Sequence, residues 1–243
     1  YPDQKFLIYD TDQYAGDYSN VVNISYKQND MGYLIGVFAA AMTSETSVAN
    51  INADKVVGFV GGEDSPVIND FLYGFLEGVK ATDAEVKVDT RYVNSYVDTA
   101  TAKEMALSMI NDNKADIIWG VAGLSGNGAA EAALESGKAW FIGVDSDQAL
   151  AYEGKDEANF IISSAIKGVG DSIYNAVEKA VDGTLPYGEY QILGIEDGVV
   201  GLADNDIYQS AVSEDAKKAV EDAKEKLLAG ATVIDVKIGR ASC

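Results

Sequence analysis

Histidine is absent from the sequence, and cysteine occurs once, as the final residue Cys243. Without histidine the chain lacks the commonest proton shuttle near neutral pH and the commonest zinc ligand. A lone cysteine excludes a disulfide within the chain and a cysteine-rich metal site. We therefore expect no metal, no cofactor and no enzymatic activity, and we assign no role to Cys243.

Basic residues and long apolar segments are also scarce. The 18 Lys and Arg residues against 39 Asp and Glu give a formal net charge of -21, which repels nucleic acid and anionic lipid surfaces. Nucleic acid is therefore not an expected partner. No apolar run reaches the roughly 18 residues of a membrane span, and the opening YPDQKF lacks the features of a signal peptide. We expect any export signal to lie outside this sequence.

What the sequence does contain is a regular alternation of two kinds of segment. The 243 residues, 47% of them hydrophobic, suffice for one large domain or two lobes of about 120 residues each. Short β-rich runs alternate with helical runs of about 10 to 15 residues, which predicts βαβ units and a mostly parallel, doubly wound α/β sheet. Strands are predicted at KFLIYD, VVNISY, KVVGFVGG, AEVKVDTRYV, ADIIWGVAG, AWFIGVDS and FIISSA, and one or two within YQILGIEDGVVGLA. Helices are predicted at NDMGYLIGVFAAAM, PVINDFLYGFLEGVKA, DTATAKEMALSMINDN, GNGAAEAALESG, IKGVGDSIYNAVEKAVDG and SEDAKKAVEDAKEKLLAG, and the tail TVIDVKIGRASC is a candidate edge strand.

Ligands of open α/β sheets bind outside the carboxyl ends of the strands, so residues that end the predicted strands are candidate site residues. Asp145 ends the strand AWFIGVDS, and its carboxylate could accept two hydrogen bonds from vicinal hydroxyl groups. Asp145 or Asp147 could instead cap a following turn. As a catalytic pair, the two carboxylates lack a histidine or a nucleophile motif beside them.

Other strand ends and helix starts carry further candidates. Asp10 ends KFLIYD, and the glycine-rich turn from Gly123 to Gly128 leaves backbone N–H groups available to ligand oxygens. The spacing of that turn matches neither the dinucleotide fingerprint nor the Walker A loop, so a tight strand-to-helix connection remains the alternative. Lys167 lies near a helix start, where the helix dipole disfavours a cation unless an acceptor faces it. A ligand oxygen or a carboxylate such as Asp145 would provide that acceptor, and a solvated lysine is the alternative.

Two aromatic residues are candidates for contact with a flat ligand. Tyr96, in YVNSYVD, follows a predicted strand and could stack on such a ligand, whereas simple packing is the alternative. In the helix PVINDFLYGFLEGVKA, Phe71 lies nearer the ligand end and is a binding candidate, while Phe75 is expected in the core.

Several of these segments together are similar to a known family. The segments GFVGGEDSPVINDFLYGFLEGVKA, RYVNSYVDTATAKEMA, ADIIWGVAGLSGNGAAEAA, FIGVDSDQ and SSAIKGVGDSIYNAV occur in the order found in the basic membrane protein (BMP) family of bacterial lipoproteins. That family includes the purine-nucleoside-binding subunits of ABC importers. The resemblance implies a type I periplasmic-binding-protein fold, in which two doubly wound parallel-sheet lobes are joined by a hinge and enclose a nucleoside for delivery to a membrane permease.

The resemblance also implies a role for individual residues. Asp145 matches the ribose-binding aspartate of the family, Lys167 its ribose-binding lysine and Asp10 an acid that contacts the base. Tyr96 matches one of two stacking aromatics, which is normally a phenylalanine in a GSF pattern, and the added hydroxyl leaves the preferred base open. Loop residues expected to line the pocket are Gly123 and Asn127.

Family members begin with strands and helices that precede the equivalent of YPDQKF, together with a lipid-anchored cysteine. The resemblance therefore implies an incomplete first lobe, formed by residues 1–44 and about 166–189, and a second lobe formed by residues 45–165 and about 190–243. Either a separate N-terminal segment or a second copy of the chain is expected to complete the first lobe. The full-length protein is expected to be an extracytoplasmic, membrane-anchored lipoprotein, whose anchor is not in this sequence.

Other functions remain open beside nucleoside binding. Carboxylates and aromatic rings also bind sugars, so a sugar or autoinducer-type receptor of the same fold is one alternative. A nucleoside hydrolase-like enzyme would use Asp145 and Asp147 as calcium ligands. A ligand-responsive regulator core is a third alternative, although its net charge does not suit DNA.

Overall fold

The computed structural model describes residues 1–11, 14, 16–232 and 234. The candidate edge strand in the tail TVIDVKIGRASC lies almost entirely outside these residues, as does Cys243. The strands are β1 (Phe6–Tyr9), β2 (Val21–Tyr26), β3 (Val56–Gly61), β4 (Lys87–Tyr92), β5 (Ile117–Val121), β6 (Trp140–Asp145), β7 (Ile161–Lys167), β8 (Tyr190–Leu193) and β9 (Val200–Leu202). The helices are α1 (Gln28–Thr43), α2 (Pro66–Thr82), α3 (Thr99–Asn111), α4 (Gly126–Ser136), α5 (Gln148–Ala151), α6 (Val169–Val181), α7 (Asp206–Ala211) and α8 (Glu214–Leu228).

The chain folds into two compact units. The small unit consists of Tyr1–Lys27 and Lys167–Val200, and the large unit consists of Gln28–Ile166 and Gly201–Cys243. The alternation of strands and helices confirms the predicted α/β class. The segment YQILGIEDGVVGLA forms two strands, β8 and β9, separated by a short 3₁₀ turn.

The small unit contains a three-stranded sheet in the order β1-β2-β8, and both pairings are parallel. The central strand β2 is buried along its whole length, as a strand with neighbours on both sides should be. The strand β1 lies at one edge, and the exposed fractions of Phe6 and Tyr9 on it are 40% and 49%. Only Gly168 separates Lys167, the last residue of β7, from Val169, the first residue of α6.

The large unit contains a six-stranded sheet in the order β4-β3-β5-β6-β7-β9. The pairings from β4 to β7 are parallel, with Asp145 in register with Ile166. After β3, the next strand along the chain, β4, lies on one side of β3, and the strand after that, β5, lies on its other side. The order therefore reverses between β3 and β5, which is the switch point where doubly wound folds bind ligands.

Helices α1 and α2 approach each other backbone to backbone. A Cβ atom added to Gly36 would lie 2.2 Å from the carbonyl oxygen of Phe75, and one added to Gly74 would lie 2.0 Å from that of Asn29. Only glycine permits this approach, and Gly32 and Gly78 meet the facing backbone in the same way. Helix α1 is therefore part of the large unit.

This packing changes the boundaries that we expected for the two lobes. We expected residues 1–44 in the first lobe. The chain instead leaves the small unit after Lys27 and enters the large unit, because α1 packs on α2. The segment after residue 189 stays in the small unit through Val200 because β8 pairs with β2. The chain also passes between the units after Ile166, and the boundary that we expected in this region was at about residue 166.

A buried carboxyl group connects three segments at the amino end of β5. Asp116 is fully buried and accepts hydrogen bonds from the Thr43 hydroxyl at 2.6 Å and the Asn52 N–H at 3.0 Å. Burial, the largest effect, raises the pKa of Asp116 to about 6, although both hydrogen bonds oppose the rise. The folded protein thus binds this proton more tightly than the unfolded chain does.

We predict that Asp116→Asn removes a pH-dependent part of the stability. An Asp with a pKa near 4 when unfolded and about 6 when folded stabilises the fold most below pH 4. That contribution is lost as the pH rises from about 4 to about 6, by roughly 2 to 3 kcal/mol. Urea denaturation followed by circular dichroism at pH 4, 5, 6 and 7 should therefore show the wild type losing stability relative to Asp116→Asn.

A carboxyl group of opposite behaviour provides the control. Hydrogen bonds from Thr101 lower the pKa of Asp98, the N-cap of α3, so its contribution to stability is lost as the pH falls. The difference between wild type and Asp98→Asn should therefore stay nearly constant from about pH 5 to pH 7 and decrease only as the pH falls below the ordinary pKa of an aspartate, near 4. A difference between wild type and Asp116→Asn that stays constant from pH 4 to 7 would refute the role of Asp116.

Candidate functional site

The carboxyl ends of β3 and β5 flank the switch point of the large unit. β3 ends in Gly61 and is followed by Gly62, and the first residue of the turn after β5 is Gly123, with a φ of +55°. These glycines leave space beside the backbone that neighbouring side chains or a ligand can occupy.

The ring of Tyr96 rests on the backbone at this switch point. A Cβ atom at Gly62 would lie 2.3 Å from Cε1 of Tyr96, so the ring lies directly against the glycine. The Ser125 N–H donates a hydrogen bond to the Tyr96 carbonyl at 3.1 Å, and the Ser125 hydroxyl donates to the Ser95 carbonyl at 3.0 Å. The loop is thus fastened on both sides while the Tyr96 side chain stays 38% exposed. An exposed ring fixed in this way can stack on a flat ligand.

Gly123 and Asn127 lie in the connection from β5 to α4. Gly123 starts a short 3₁₀ turn, and a Cβ atom there would lie 3.3 Å from the Tyr96 carbonyl oxygen. Asn127 is half-buried in the first turn of α4. The structure therefore brings Gly123 and Tyr96 together and places Asn127 one helical turn further along the chain.

Asp145 ends β6 in a strained backbone conformation. Its φ is +70°, and the Ser146 N–H donates a hydrogen bond to the Val144 carbonyl at 2.9 Å. These features identify the rare γ-turn with a positive central φ, centred on Asp145. A non-glycine residue in such a conformation costs about 1 to 3 kcal/mol, and strain of this kind concentrates at functional sites. The Asp145 side chain is exposed.

Asp147 has a different use. Its carboxylate accepts a hydrogen bond from the Ala149 N–H at 3.1 Å as the N-cap of α5, and another from the Asn205 amide at 3.2 Å. Of the two capping alternatives considered for this stretch, the structure assigns the N-cap to Asp147. Asp145 lies outside that cap.

In the small unit, Lys167 and Asp10 form an ion pair. The Lys167 Nζ lies 2.9 Å from both carboxylate oxygens of Asp10, and the Lys167 side chain is only 6% exposed. Asp10 is thus an acceptor for this lysine, for which we expected a ligand oxygen or a carboxylate such as Asp145. Asp10 also has a positive φ of 60°, and its N–H donates to the Ile24 carbonyl at 2.8 Å. A strand-end aspartate with left-handed backbone therefore occurs in each unit.

The lysine also faces an aromatic ring that the sequence did not single out. The Lys167 Nζ lies 5.5 Å from the centre of the Tyr26 ring, within the range of a cation–π interaction. The Ser172 hydroxyl donates to the Val169 carbonyl, so it accepts the hydrogen bond that joins it to the Tyr26 hydroxyl. Burial raises the pKa of Tyr26 above its usual value, and the phenol therefore stays protonated near neutral pH.

Phe71 lies in the core rather than at the ligand end of α2. The residue is 2% exposed, and its ring meets Trp119 edge-on with the ring centres 5.8 Å apart. A Cβ atom at Gly32 would lie 2.1 Å from the Phe71 carbonyl oxygen, so α1 covers this part of α2. This burial argues against our prediction that Phe71 contacts a ligand.

Within residues 1–11, 14, 16–232 and 234, no cluster of three His, Cys, Asp or Glu side chains is arranged to bind a metal ion. In that same part of the chain, no helix combines the length and the apolar character needed to cross a bilayer.

A family model, Bmp, described as "ABC transporter substrate-binding protein PnrA-like", matches residues 1–232. The chain belongs to the Bmp family. This family consists of substrate-binding proteins of ABC transporters rather than enzymes, as the absence of histidine led us to expect.

Two curated relatives illustrate the similarity of this Bmp chain. It is 34% identical to a "CD4+ T-cell-stimulating antigen" of Listeria monocytogenes, over 98% of this chain and 64% of the relative. It is 32% identical to an "ABC transporter nucleoside-binding protein BmpA" of Lactococcus lactis subsp. cremoris, over 97% of this chain and 66% of the relative. The chain thus spans slightly less than two thirds of the length of these relatives.

A solved structure supports the fold of this Bmp chain. An ABC transporter solute-binding protein of Aeropyrum pernix K1 matches with a TM-score of 0.80 and 24% identity, over 98% of this chain and 72% of that one. The type I periplasmic-binding-protein fold that we predicted is confirmed.

We predict that the Lys167–Asp10 pair contributes more to stability than a more exposed ion pair of the same unit. Lys167→Met removes the ammonium group that contacts both oxygens of the Asp10 carboxylate. We therefore expect the free energy of unfolding to fall by about 1 to 2 kcal/mol. The matched control is Lys27→Met, which removes an ion pair to Glu196 whose side chains are 37% and 49% exposed. That variant should lose less than about 1 kcal/mol.

Urea denaturation followed by circular dichroism measures both variants. Adding Asp10→Asn to Lys167→Met should cost less than the sum of the two single changes, because the two residues share one interaction. Equal losses for Lys167→Met and Lys27→Met, or strict additivity of the double variant, would contradict this prediction.

Proposed function

We propose that this chain is the ligand-binding part of an ABC importer's extracytoplasmic substrate-binding protein. In this proposal it binds a purine nucleoside and passes it to a membrane permease. The full-length protein would be anchored to the membrane as a lipoprotein. Membership of the Bmp family and the name of the nucleoside-binding relative from Lactococcus lactis support the proposal.

The observation that carries the proposal is the pair of exposed groups at the carboxyl edge of the large unit. Tyr96 offers an aromatic face fixed against Gly62, and Asp145 offers a carboxylate at the next strand end beyond β5. We assign base stacking to Tyr96 and the acceptance of hydrogen bonds from the ribose hydroxyls to Asp145. Backbone N–H groups of the turn at Gly123 and the amide of Asn127 would meet polar atoms of the base.

The small unit carries two charged side chains of its own. We assign a ribose contact to Lys167 and a contact with the base to Asp10. Because these two side chains already form an ion pair, their positions are fixed before ligand arrives. Preorganised groups lose less conformational entropy on binding, which favours affinity.

The net charge of the chain favours a neutral ligand. At -21, the protein repels phosphorylated compounds, whereas a nucleoside carries no phosphate. A nucleoside also combines a flat base with vicinal hydroxyls, which suits one ring and one carboxylate. A sugar uses the same carboxylate but lacks the flat heterocycle, so sugar binding is the alternative that an experiment must separate.

We predict that purine nucleosides raise the melting temperature of the protein and that free sugars do not. A ligand at 100 times its dissociation constant stabilises the folded state by about 2.7 kcal/mol. For a chain of this size that corresponds to a shift of roughly 5 to 10 °C. Differential scanning fluorimetry with inosine, guanosine, adenosine, ribose and galactose measures the shift. A shift with sugars alone would refute the nucleoside proposal, and free base released from a nucleoside would favour the hydrolase alternative.

Variants of Asp145 test the site within the same assay. Asp145→Ala should remove the shift, while Asp145→Asn tolerates the positive φ and separates the loss of charge from the change of backbone. The matched control is Asp112→Ala, which removes a carboxylate bonded to Ser108 at the carboxyl end of α3. If Asp145→Ala binds nucleoside as well as Asp112→Ala does, Asp145 is not a ligand residue.

We further propose that additional polypeptide completes the small unit. The Phe6 and Asp10 N–H groups bond to the loop before β2 and to β2, so the alternate N–H groups of Leu7 and Tyr9 point toward the open edge of β1. A cavity of about 780 Å³ is lined by Phe6 and Ile8 of β1 and by further aromatic side chains that include Tyr1 and Tyr18. Since the chain spans 64% of its Listeria relative, we assign this surface to a segment equivalent to the part that the chain does not span.

We predict that such a segment protects the edge of β1. Fusing the unmatched part of the Lactococcus lactis relative to this chain should slow hydrogen exchange of the Leu7 and Tyr9 amides at least tenfold, because a new strand would accept their hydrogen bonds. Exchange measured by NMR, with light scattering for molecular mass, gives the result. If the chain alone forms a dimer in which these amides are already protected, a second copy is the occupant instead.

A further inference from the structure

The strained turn at Asp145 remains paired with β7, but pairing with β5 stops before it. The pairing of β5 with β6 runs from Ile117 and Trp140 to Trp119 and Ile142. Beyond Ile142, side chains bond to the backbone of β6. The Trp119 indole N–H donates to the Gly143 carbonyl at 3.1 Å, and the Val144 N–H donates to the Gln148 side-chain oxygen at 3.1 Å.

Gln148 is fixed at both of its ends. Its backbone N–H donates to the Ser164 hydroxyl on β7 at 3.0 Å, while its side chain folds back over Gly143. A Cβ atom at Gly143 would lie 2.3 Å from the Gln148 side-chain oxygen, so the glycine is what admits this side chain. The side chain closes the loop from Val144 to Gln148 on the residue just before Asp145.

The cap of α5 does not require this side chain. Asp147 already serves as the N-cap by accepting the Ala149 N–H. The amide of Gln148 bonds instead to Val144, whose carbonyl accepts the hydrogen bond that closes the γ-turn. Both polar groups of Val144 are therefore used to shape the backbone around Asp145.

We propose that Gln148 is a positioning residue for ligand binding, which acts by fixing the γ-turn that directs the Asp145 carboxylate. The inference rests on the proposed function, since it requires Asp145 to accept hydroxyl groups of the ligand. Gln148 keeps the strained turn populated in the ligand-free protein. Without its amide oxygen, the Val144 N–H loses its acceptor, and the residue at the centre of the turn relaxes toward an unstrained conformation.

Three variants test the inference. Gln148→Met has a similar length but no strong acceptor, whereas Gln148→Glu keeps an acceptor oxygen for the Val144 N–H. The control is Gln209→Met, which removes an amide that bonds to Asp204 on an exposed part of the large unit. Isothermal titration calorimetry with inosine and with 2′,3′-dideoxyinosine gives the affinity for a ligand with vicinal hydroxyls and for one without them.

Gln148→Met should weaken inosine binding about tenfold and leave dideoxyinosine binding within about threefold of wild type, because only inosine offers hydroxyls to Asp145. Gln148→Glu should restore most of the selectivity, and Gln209→Met should not change it. A general loosening of the structure would weaken both ligands equally. Equal weakening of the two ligands, or an unchanged ratio in Gln148→Met, overturns the inference.

Hydrogen exchange separates this inference from the proposed function. In the ligand-free protein, the Ser146 amide should exchange about tenfold faster in Gln148→Met than in wild type, and Gln148→Glu should exchange like wild type. If wild type binds neither nucleoside, the proposed function fails, and the exchange rates alone decide whether Gln148 fixes the turn. An unchanged Ser146 rate in Gln148→Met overturns the inference whatever the ligand does.

Discussion

The parallel direction of the strands is the constraint on which the rest of this structure depends. Parallel strands need a crossover helix between them, so every strand end must lead into a connection at the same edge of the sheet. In the large unit this brings Gly62, Gly123 and Asp145 to one edge although they are widely separated in sequence. Helices of the large unit also pack closely, and four glycines between α1 and α2 permit backbone-to-backbone contact there.

The same constraint explains where the backbone is strained. A strand that must turn sharply into its connection can do so through a residue with positive φ, and both β1 and β6 are followed or ended by an aspartate in that conformation. Glycine would make the turn at no steric cost. An aspartate in the same position lowers the stability of the fold but places a carboxylate at the strand end. In each unit the neighbouring structure compensates, through Lys167 beside Asp10 and through Gln148 and Asp147 around Asp145.

Hydrophobic periodicity was sufficient to predict most strands and helices and the α/β class, because it reports which residues face the core. The type I periplasmic-binding-protein fold was implied by the resemblance to the BMP family. The sequence also located Asp145 and Tyr96 at strand ends. The membership of α1 in the large unit was missed, since four-residue glycine spacings on α1 and α2 indicate close packing without naming the partner helix. The pairing of Lys167 with Asp10 joins residues 157 positions apart and leaves no local pattern. Phe71 was misplaced although its spacing of four from the core residue Phe75 puts both rings on one helical face.

The support of the Tyr96 ring has a consequence for how such a protein diversifies. The ring lies on the backbone of Gly62 and belongs to a loop fastened through main-chain atoms, whereas Trp119, Phe59 and Phe75 form the interlocked core. Exchanging one aromatic ring for another at position 96 therefore disturbs no packed neighbour in that core. Under the proposed function, ligand preference and fold stability would be encoded by separate residues, so selection could change the first while it preserves the second.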